Sequence, residues 1–226
     1  MDPIFTDTYE IEKIFRQNEE LEFILDIANS DLDISNSKKF IENIISEIKN
    51  YFEMGEYMFE NIELKTPSII YKESFLENIN DYKTSGDIEY FNIYIKALDN
   101  FEQYVKKLNN NAVGIDLPEG YVPCSTFWLV NESNKVLGVI RIRHKSIPFD
   151  GHIGYDIAPK YRGNGCGTKI LELALPIAKQ IGIDKAILNC ESNNIRSEKV
   201  IKANNGIHFN SIERNGTLYN QFIINL

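Results

Sequence analysis

The chain is poor in cysteine, with three in 226 residues, and poor in cations, with 24 Lys and Arg against 33 Asp and Glu. Cys124, Cys166 and Cys190 are odd in number and contain no CxxC pair, so neither a disulfide framework nor a zinc-ligand spacing is present and free thiols in a reducing compartment are expected. The formal net charge of −9 leaves no surplus of Lys and Arg for a phosphate backbone, so nucleic acid is not expected as a partner. No run approaches the roughly 18 apolar residues of a membrane span. The acidic, interrupted stretch from Met1 to Glu20 lacks the basic head and apolar core of a secretory leader. A cytoplasmic protein with no membrane partner is the expectation.

Apolar residues make up 43% of the chain, ample for one core plus an appendage at this length. Helical spacing dominates the first half. Ile11, Ile14, Phe15, Leu21, Ile24, Leu25 and Ala28 share one face, and Phe40, Ile41, Ile44, Ile45, Ile48, Tyr51 and Phe52 share another. Thr66-Pro67 punctuates the chain, and further helical spacing covers Tyr71 to Tyr82 and Ile88 to Leu108, so everything up to about Leu108 reads as helix. The domain expectation is a helical extension over 1–65 followed by a main domain over 66–226. The extension offers apolar faces through which two copies could pair.

The period then changes to that of strands. Val122 to Val130 and Val136 to His144 flank the hairpin signature Asn131-Glu132-Ser133-Asn134, and His152 to Ala158 adds a third strand. Thr168 to Ile181 reads as helix, Ala186 to Cys190 as strand, and Asn194 to Asn204 as a short helix. Ile207 to Ser211 and Leu218 to Ile224 form a hairpin through Arg214-Asn215-Gly216. Pro176 inside the first of these helices predicts a kink or an early end, because it removes the bond to Glu172. The fold class is mixed α/β (α+β), with a mostly antiparallel sheet flanked by helices.

The stretch Tyr161-Arg162-Gly163-Asn164-Gly165-Cys166-Gly167-Thr168-Lys169 sits between a strand and a helix. Alternate glycines permit positive φ and let a ligand approach the main chain, while the helix that starts there contributes unpaired N–H groups. That combination suits a pyrophosphate. A P-loop would end Gly-Lys-Ser or Gly-Lys-Thr, whereas this turn ends Gly167-Thr168-Lys169; a dinucleotide fingerprint needs G-x-G-x-x-G, which Gly163, Gly165 and Gly167 do not supply.

The pattern Arg162-x-x-Gly165-x-Gly167 resembles the acetyl-coenzyme A signature of the GNAT acetyltransferase superfamily. The likeness extends to Gly151 to Pro159, which resembles that family's central strand, to Ile181 to Cys190, which resembles its helix-to-strand step, and to Asn193 to Ile201, which resembles the following helix. Val122 to Trp128 and Arg141 to His144 are similar to a subgroup of bacterial members. The resemblance implies acetyl-coenzyme A as cosubstrate, no metal, and direct acetyl transfer to a primary amine of a small molecule or peptide. It assigns the cofactor to Tyr155, Ile157, Arg162, Gly163, Asn164, Gly165, Cys166, Gly167 and Thr168, with Asn194 and Ser197 on the pantetheine arm.

Chemistry at the thioester asks for a base that frees the amine, an N–H near Tyr155 to Ile157 for the oxyanion, and a proton for the thiolate. Asp156, His144 and Glu191 are the catalytic candidates for the base, with His152 also near a strand end. Many relatives carry a tyrosine acid on the helix after the Asn, where this sequence has Ile201. Cys166 has no His and acid partner placed for a triad, so direct transfer is preferred to a covalent intermediate. The acidic balance favours a cationic acceptor. An alternative reading is a catalytically idle acyl-coenzyme A sensor, motivated by the missing tyrosine, and a third is a nucleotide-binding α/β protein.

Overall fold

A computed structural model describes residues 61–147 and 149–226. The chain divides into two units, Met1–Tyr57 and Met58–Leu226. The two expected N-terminal helices, and any pairing of copies through them, lie outside the described residues.

Two antiparallel sheets organise the second unit. The first has the order β1 (Glu63–Lys65), β2 (Cys124–Val130), β3 (Val136–Ile147) and β4 (Gly151–Ile157). In the second, β7 (Thr217–Asn225) lies between β5 (Lys185–Glu191) and β6 (Ile207–Arg214). Glu63–Lys65 pairs with Val130 to Trp128, so the end of the segment expected as helix is a strand of this sheet. The final hairpin turns through Asn215 (φ 51°) and Gly216 (φ 79°), the pair of positive φ values that a tight two-residue turn demands.

Side chains alternate between the faces of the first sheet, and each face has its own cover. Trp128, fully buried, points to the face covered by α1 (Lys72–Thr84) and α4 (Phe101–Ala112), where its ring stacks on Phe75 at 4.6 Å and lies 6.1 Å from Phe101. Between these helices run α2 (Ile88–Tyr94) and α3 (Lys96–Asp99). The helix expected as continuous from Ile88 to Leu108 is therefore in three pieces. Asn100 breaks it, with extended φ −154° and a side chain that accepts from Gln103 N at 2.9 Å as the cap of α4. The opposite face is covered by α5 (Cys166–Gln180), whose Ile170, Leu171, Ala174 and Ala178 are buried at helical spacing.

Pro176 does not end α5, which runs on to Gln180. One main-chain bond is lost at Glu172, and the burial of Ala174 and Ala178 on either side of the proline holds the helix together. After β5 comes α6 (Ile195–Ala203), capped by Asn194, whose Oδ1 accepts from Ser197 N at 3.0 Å.

Candidate active site

The glycine turn between β4 and α5 has the geometry of an anion cradle. Gly163 (φ 87°) and Gly165 (φ 76°) both adopt the left-handed conformation, and a Cβ at either would meet nothing within 4 Å. Among the described residues, the N–H groups from Gly163 to Thr168 find no carbonyl or side-chain oxygen. The first α5 bond at this end is Lys169 N to Gly165 O, at 3.1 Å. A cavity of about 480 Å³ opens on this turn, lined by Asn61, Ile62, Asn164, Gly165 and Lys169. Asn164 and Gly165 of the turn, with main-chain N–H groups that find no oxygen, thus line this space with Lys169 at the positive end of a helix.

Beside the turn the two sheets part. β4 and β5 run side by side with no ladder between them. They meet at one end, where Ile187 N donates to His152 Nδ1 at 3.0 Å and a Cβ on Gly151 would clash with Ile187 O. Farther along β4, Ala158 N donates to Leu137 O on β3, so by strand alternation the N–H groups of Tyr155 and Ile157 point into the gap. A strand edge with unpaired polar groups is suited to an extended amide chain lying along it as one more strand.

The model of the acetyltransferase (GNAT) family matches residues 93–206, half of the chain. The chain belongs to that family. It is accordingly an acyltransferase of the N-acetyltransferase kind. Solved structures show the same fold. The microcin C7 self-immunity acetyltransferase MccE, in complex with acetyl-CoA and AMP, is 16% identical over 75% of this chain and 94% of its own, with a TM-score of 0.56. The ribosomal L7/L12 α-N-protein acetyltransferase RimL, in complex with coenzyme A, is 15% identical over 75% and 96%, with a TM-score of 0.57. The Salmonella typhimurium acetyltransferase that modifies the N-terminal serine of L7/L12 is 14% identical over 75% and 97%, at 0.53. No curated protein sequence matches the chain.

Within this GNAT frame the expected cofactor residues do different jobs. Gly167 is a packing glycine, since a Cβ there would meet Val200 of α6 at 3.0 Å. The Asn164 side chain closes the turn on itself through Arg162 O at 3.2 Å. The Arg162 guanidinium does not reach over the turn. It pairs with Asp87 at 2.6 Å, before α2, and its Nε donates to Ile157 O at 2.9 Å. Cys166 is buried, and burial pushes its thiol up to about 11, so no thiolate stands at the helix start. Thr168 offers its carbonyl to Asn204 Nδ2 at 3.2 Å. Tyr155 points to α6, where its hydroxyl shares a 3.0 Å hydrogen bond with Ser197 Oγ, and burial raises the phenol above its ordinary value.

The three candidate bases are not brought together. Asp156 lies on the face of β4 covered by α1 and α2, with a side chain only 1% exposed. It accepts from Tyr82 Oη, from Tyr94 Oη at 2.6 Å and from Arg141 Nη2 at 3.0 Å. Burial drives the Tyr82 and Tyr94 phenols far up, which keeps both as donors to this carboxylate. His144 is on the opposite face, bonded to Ser125 Oγ at 2.9 Å, and four residues along β3 from Ile140, the partner of Tyr155. At about 3.3 Å per residue that is roughly 13 Å away.

Glu191 is placed differently. His152 meets Ile187, and farther along Tyr155 and Cys190 both meet Ser197, so the two strands run in the same direction and Glu191, next after Cys190, falls near the level of Asp156 across the gap. Cys190 bonds Ser197 on the α6 side, so its neighbour Glu191 points to the other face, the one that also carries Arg141 and Gly154. Sequence spacing did not reveal two features of this site: the Tyr82 and Tyr94 donors to Asp156, and the Gly151–His152 contact with β5. Each depends on segments distant in the chain. Among the described residues no group of His, Cys, Asp and Glu is arranged to hold a metal ion, and no helix is long and apolar enough to cross a membrane.

Proposed function

We propose that the protein transfers an acetyl group from acetyl-coenzyme A directly to a primary amine. The observation that carries this is the glycine turn before α5, whose main-chain N–H groups find no oxygen and whose Asn164 and Gly165 line a cavity, taken with the unladdered gap between β4 and β5. Relatives of the same fold in complex with acetyl-CoA or coenzyme A support the choice of cosubstrate. Bound there, acetyl-coenzyme A supplies an activated acetyl thioester.

The chain's own groups divide the remaining work. The turn holds the pyrophosphate by main-chain donors, the edge of β4 pairs with the pantetheine amides, and Tyr155 or Ile157 N–H faces the developing oxyanion. Glu191, at the rim on the acceptor face, takes the proton from the incoming ammonium, directly or through water. Asp156 orients β3 against β4 through Arg141. Amine acceptors on proteins, as in the L7/L12 enzymes, support an amine as the acceptor class.

The test is thermal melting with acetyl-coenzyme A, coenzyme A, NAD and ATP, followed by thiol release across an amine panel. Coenzyme A at about 100 times its dissociation constant adds roughly 2.7 kcal/mol to stability. A shift with NAD or ATP but none with coenzyme A overturns the cofactor assignment. A coenzyme A shift with no thiol release from any amine favours a sensor over an enzyme.

A further inference from the structure

A second cavity, of about 730 Å³, lies on the helical face of the first sheet. Thr126, Val139 and Arg141 form its sheet side, and α2 to α4 enclose the rest. Arg141 is 23% exposed although it pairs with buried Asp156. Its Nη2 donates to Asp156 and to Tyr94 Oη, while Nε and Nη1 have no acceptor among the described residues. Neither atom is among the buried ones that lack a partner, so both reach solvent, and Arg141 is one of the residues that line the cavity.

The charge around this cavity is opposite in sign to that of the whole chain. Arg141, Lys96, Lys106 and Lys107 line it, against Asp99 and Asp116. Asp116 is partly spoken for, since its Oδ2 accepts from Asn110 Nδ2 at 3.1 Å. Even with Asp156 counted, cations exceed anions here in a protein of net charge −9.

The sheet side of the cavity borders the strand that lines the gap. Arg141 lies opposite Gly154 in the β3–β4 register, and Gly154 precedes Tyr155 on the strand that lines the gap. A Cβ at Gly154 would meet only Arg143 Nη1, at 3.8 Å, so this face of β4 is bare where it borders Arg141. Neighbouring strands are about 4.8 Å apart. Arg141 is therefore one strand away from the edge of β4 that faces the gap.

We infer that the acceptor amine carries an oxyanion, a carboxylate or a phosphate, which docks on Arg141 in this cavity while the amine reaches the thioester over Gly154. The inference rests on the acetyl-transfer reading above and narrows its substrate class. Acidic overall composition favours cationic acceptors, but the local field at the cavity governs docking, since a partly buried charge is screened far less than the surface as a whole.

The experiment measures binding, so it does not depend on turnover. The full chain saturated with coenzyme A is titrated calorimetrically with matched amines: O-phosphoethanolamine against ethanolamine, and amino acids against their amides, which separates phosphate from carboxylate recognition. At least one anionic member should bind about tenfold tighter than its neutral partner. Arg141→Lys keeps the charge beside Asp156 but loses the free N–H groups, and should reduce the preference to about threefold or less. The double variant Lys106→Gln, Lys107→Gln, on the exposed rim, should weaken the same preference without touching Asp156. Gly154→Val should abolish amine binding while retaining the melting shift with coenzyme A. Equal binding of both members, no binding of any anionic amine, or a preference unchanged in both cation variants overturns the inference. Loss of thiol release with the binding preference intact overturns acetyl transfer instead.

Discussion

Asp156 illustrates how burial decides what a residue can do. A carboxylate that accepts from two phenols and a guanidinium has its lone pairs committed, and it faces helices rather than the gap. Removing it strands the Arg141 cation, whose own pKa is raised because Tyr94 and Asp156 together outweigh the burial that disfavours its charge. Breaking a buried pair from one side costs roughly 3–5 kcal/mol. Asp156→Ala should therefore lower the melting temperature by roughly 10 °C, at about 2–4 °C per kcal/mol for a domain of this size. Glu191→Gln should do the reverse, with melting and coenzyme A affinity unchanged and kcat reduced about 100-fold or more. If instead Asp156→Asn proves stable and inactive while Glu191→Gln retains kcat, the base is Asp156. These two variants separate a positioning residue from a catalytic one by which measurement moves.

At the scale of the element, the turn from Gly163 to Thr168 works through its main chain. Gly165→Val places a β-branched residue at φ 76°, a conformation such residues rarely adopt, and closes the space beside the N–H groups. Coenzyme A binding should be lost. Arg162→Gln should weaken binding by about threefold or less while lowering the melting temperature, because its guanidinium ties Asp87 to the end of β4 rather than reaching the ligand space. A loss of binding in Arg162→Gln as severe as in Gly165→Val would show that the side chain swings onto the phosphates. The turn was legible because its signal is local: φ-positive glycines between a strand and a helix are adjacent in sequence. The strand and hairpin order was legible for the same reason, down to Asn215-Gly216. The strand Glu63–Lys65 was not, since three residues carry no period and only pairing with Trp128 to Val130 makes them a strand. Nor was the break at Asn100, where Ile95, Leu98 and Phe101 continue a helical spacing that a side-chain cap interrupts. The burial of Asp156 was equally hidden. Alternation along one strand says that neighbours face opposite ways, but which face is covered depends on Tyr82 and Tyr94, more than sixty residues away.

For the unit as a whole, the weak seam is the junction of the two sheets, and a histidine sits on it. Ile187 N donates to His152 Nδ1, which fixes that nitrogen as the unprotonated one. A proton on Nδ1 would set two donors against each other where β4 meets β5. Burial, with help from the Arg143 cation, lowers the His152 pKa from its ordinary 6.5, and burial lowers His144 in the same direction. The unfolded chain then takes up protons at a pH where the folded chain does not. Stability is complete above about pH 6.5 and is lost as pH falls through the window below it. The lowered Glu77 carboxyl acts only beneath its ordinary 4.5, outside this window. Acidification also relieves self-repulsion in a chain of net charge −9, which pulls the other way. The decisive quantity is therefore the difference between two slopes. Melting temperature followed from pH 8 to 5.5 should fall more steeply for the unaltered protein than for His152→Asn, whose Oδ1 can accept from Ile187 N without titrating. Parallel curves would mean that the His152 contact does not sense the proton, and that the sheets are held together there by the close approach of Gly151 to Ile187 and the bond from Asn189 Nδ2 to Phe149 O.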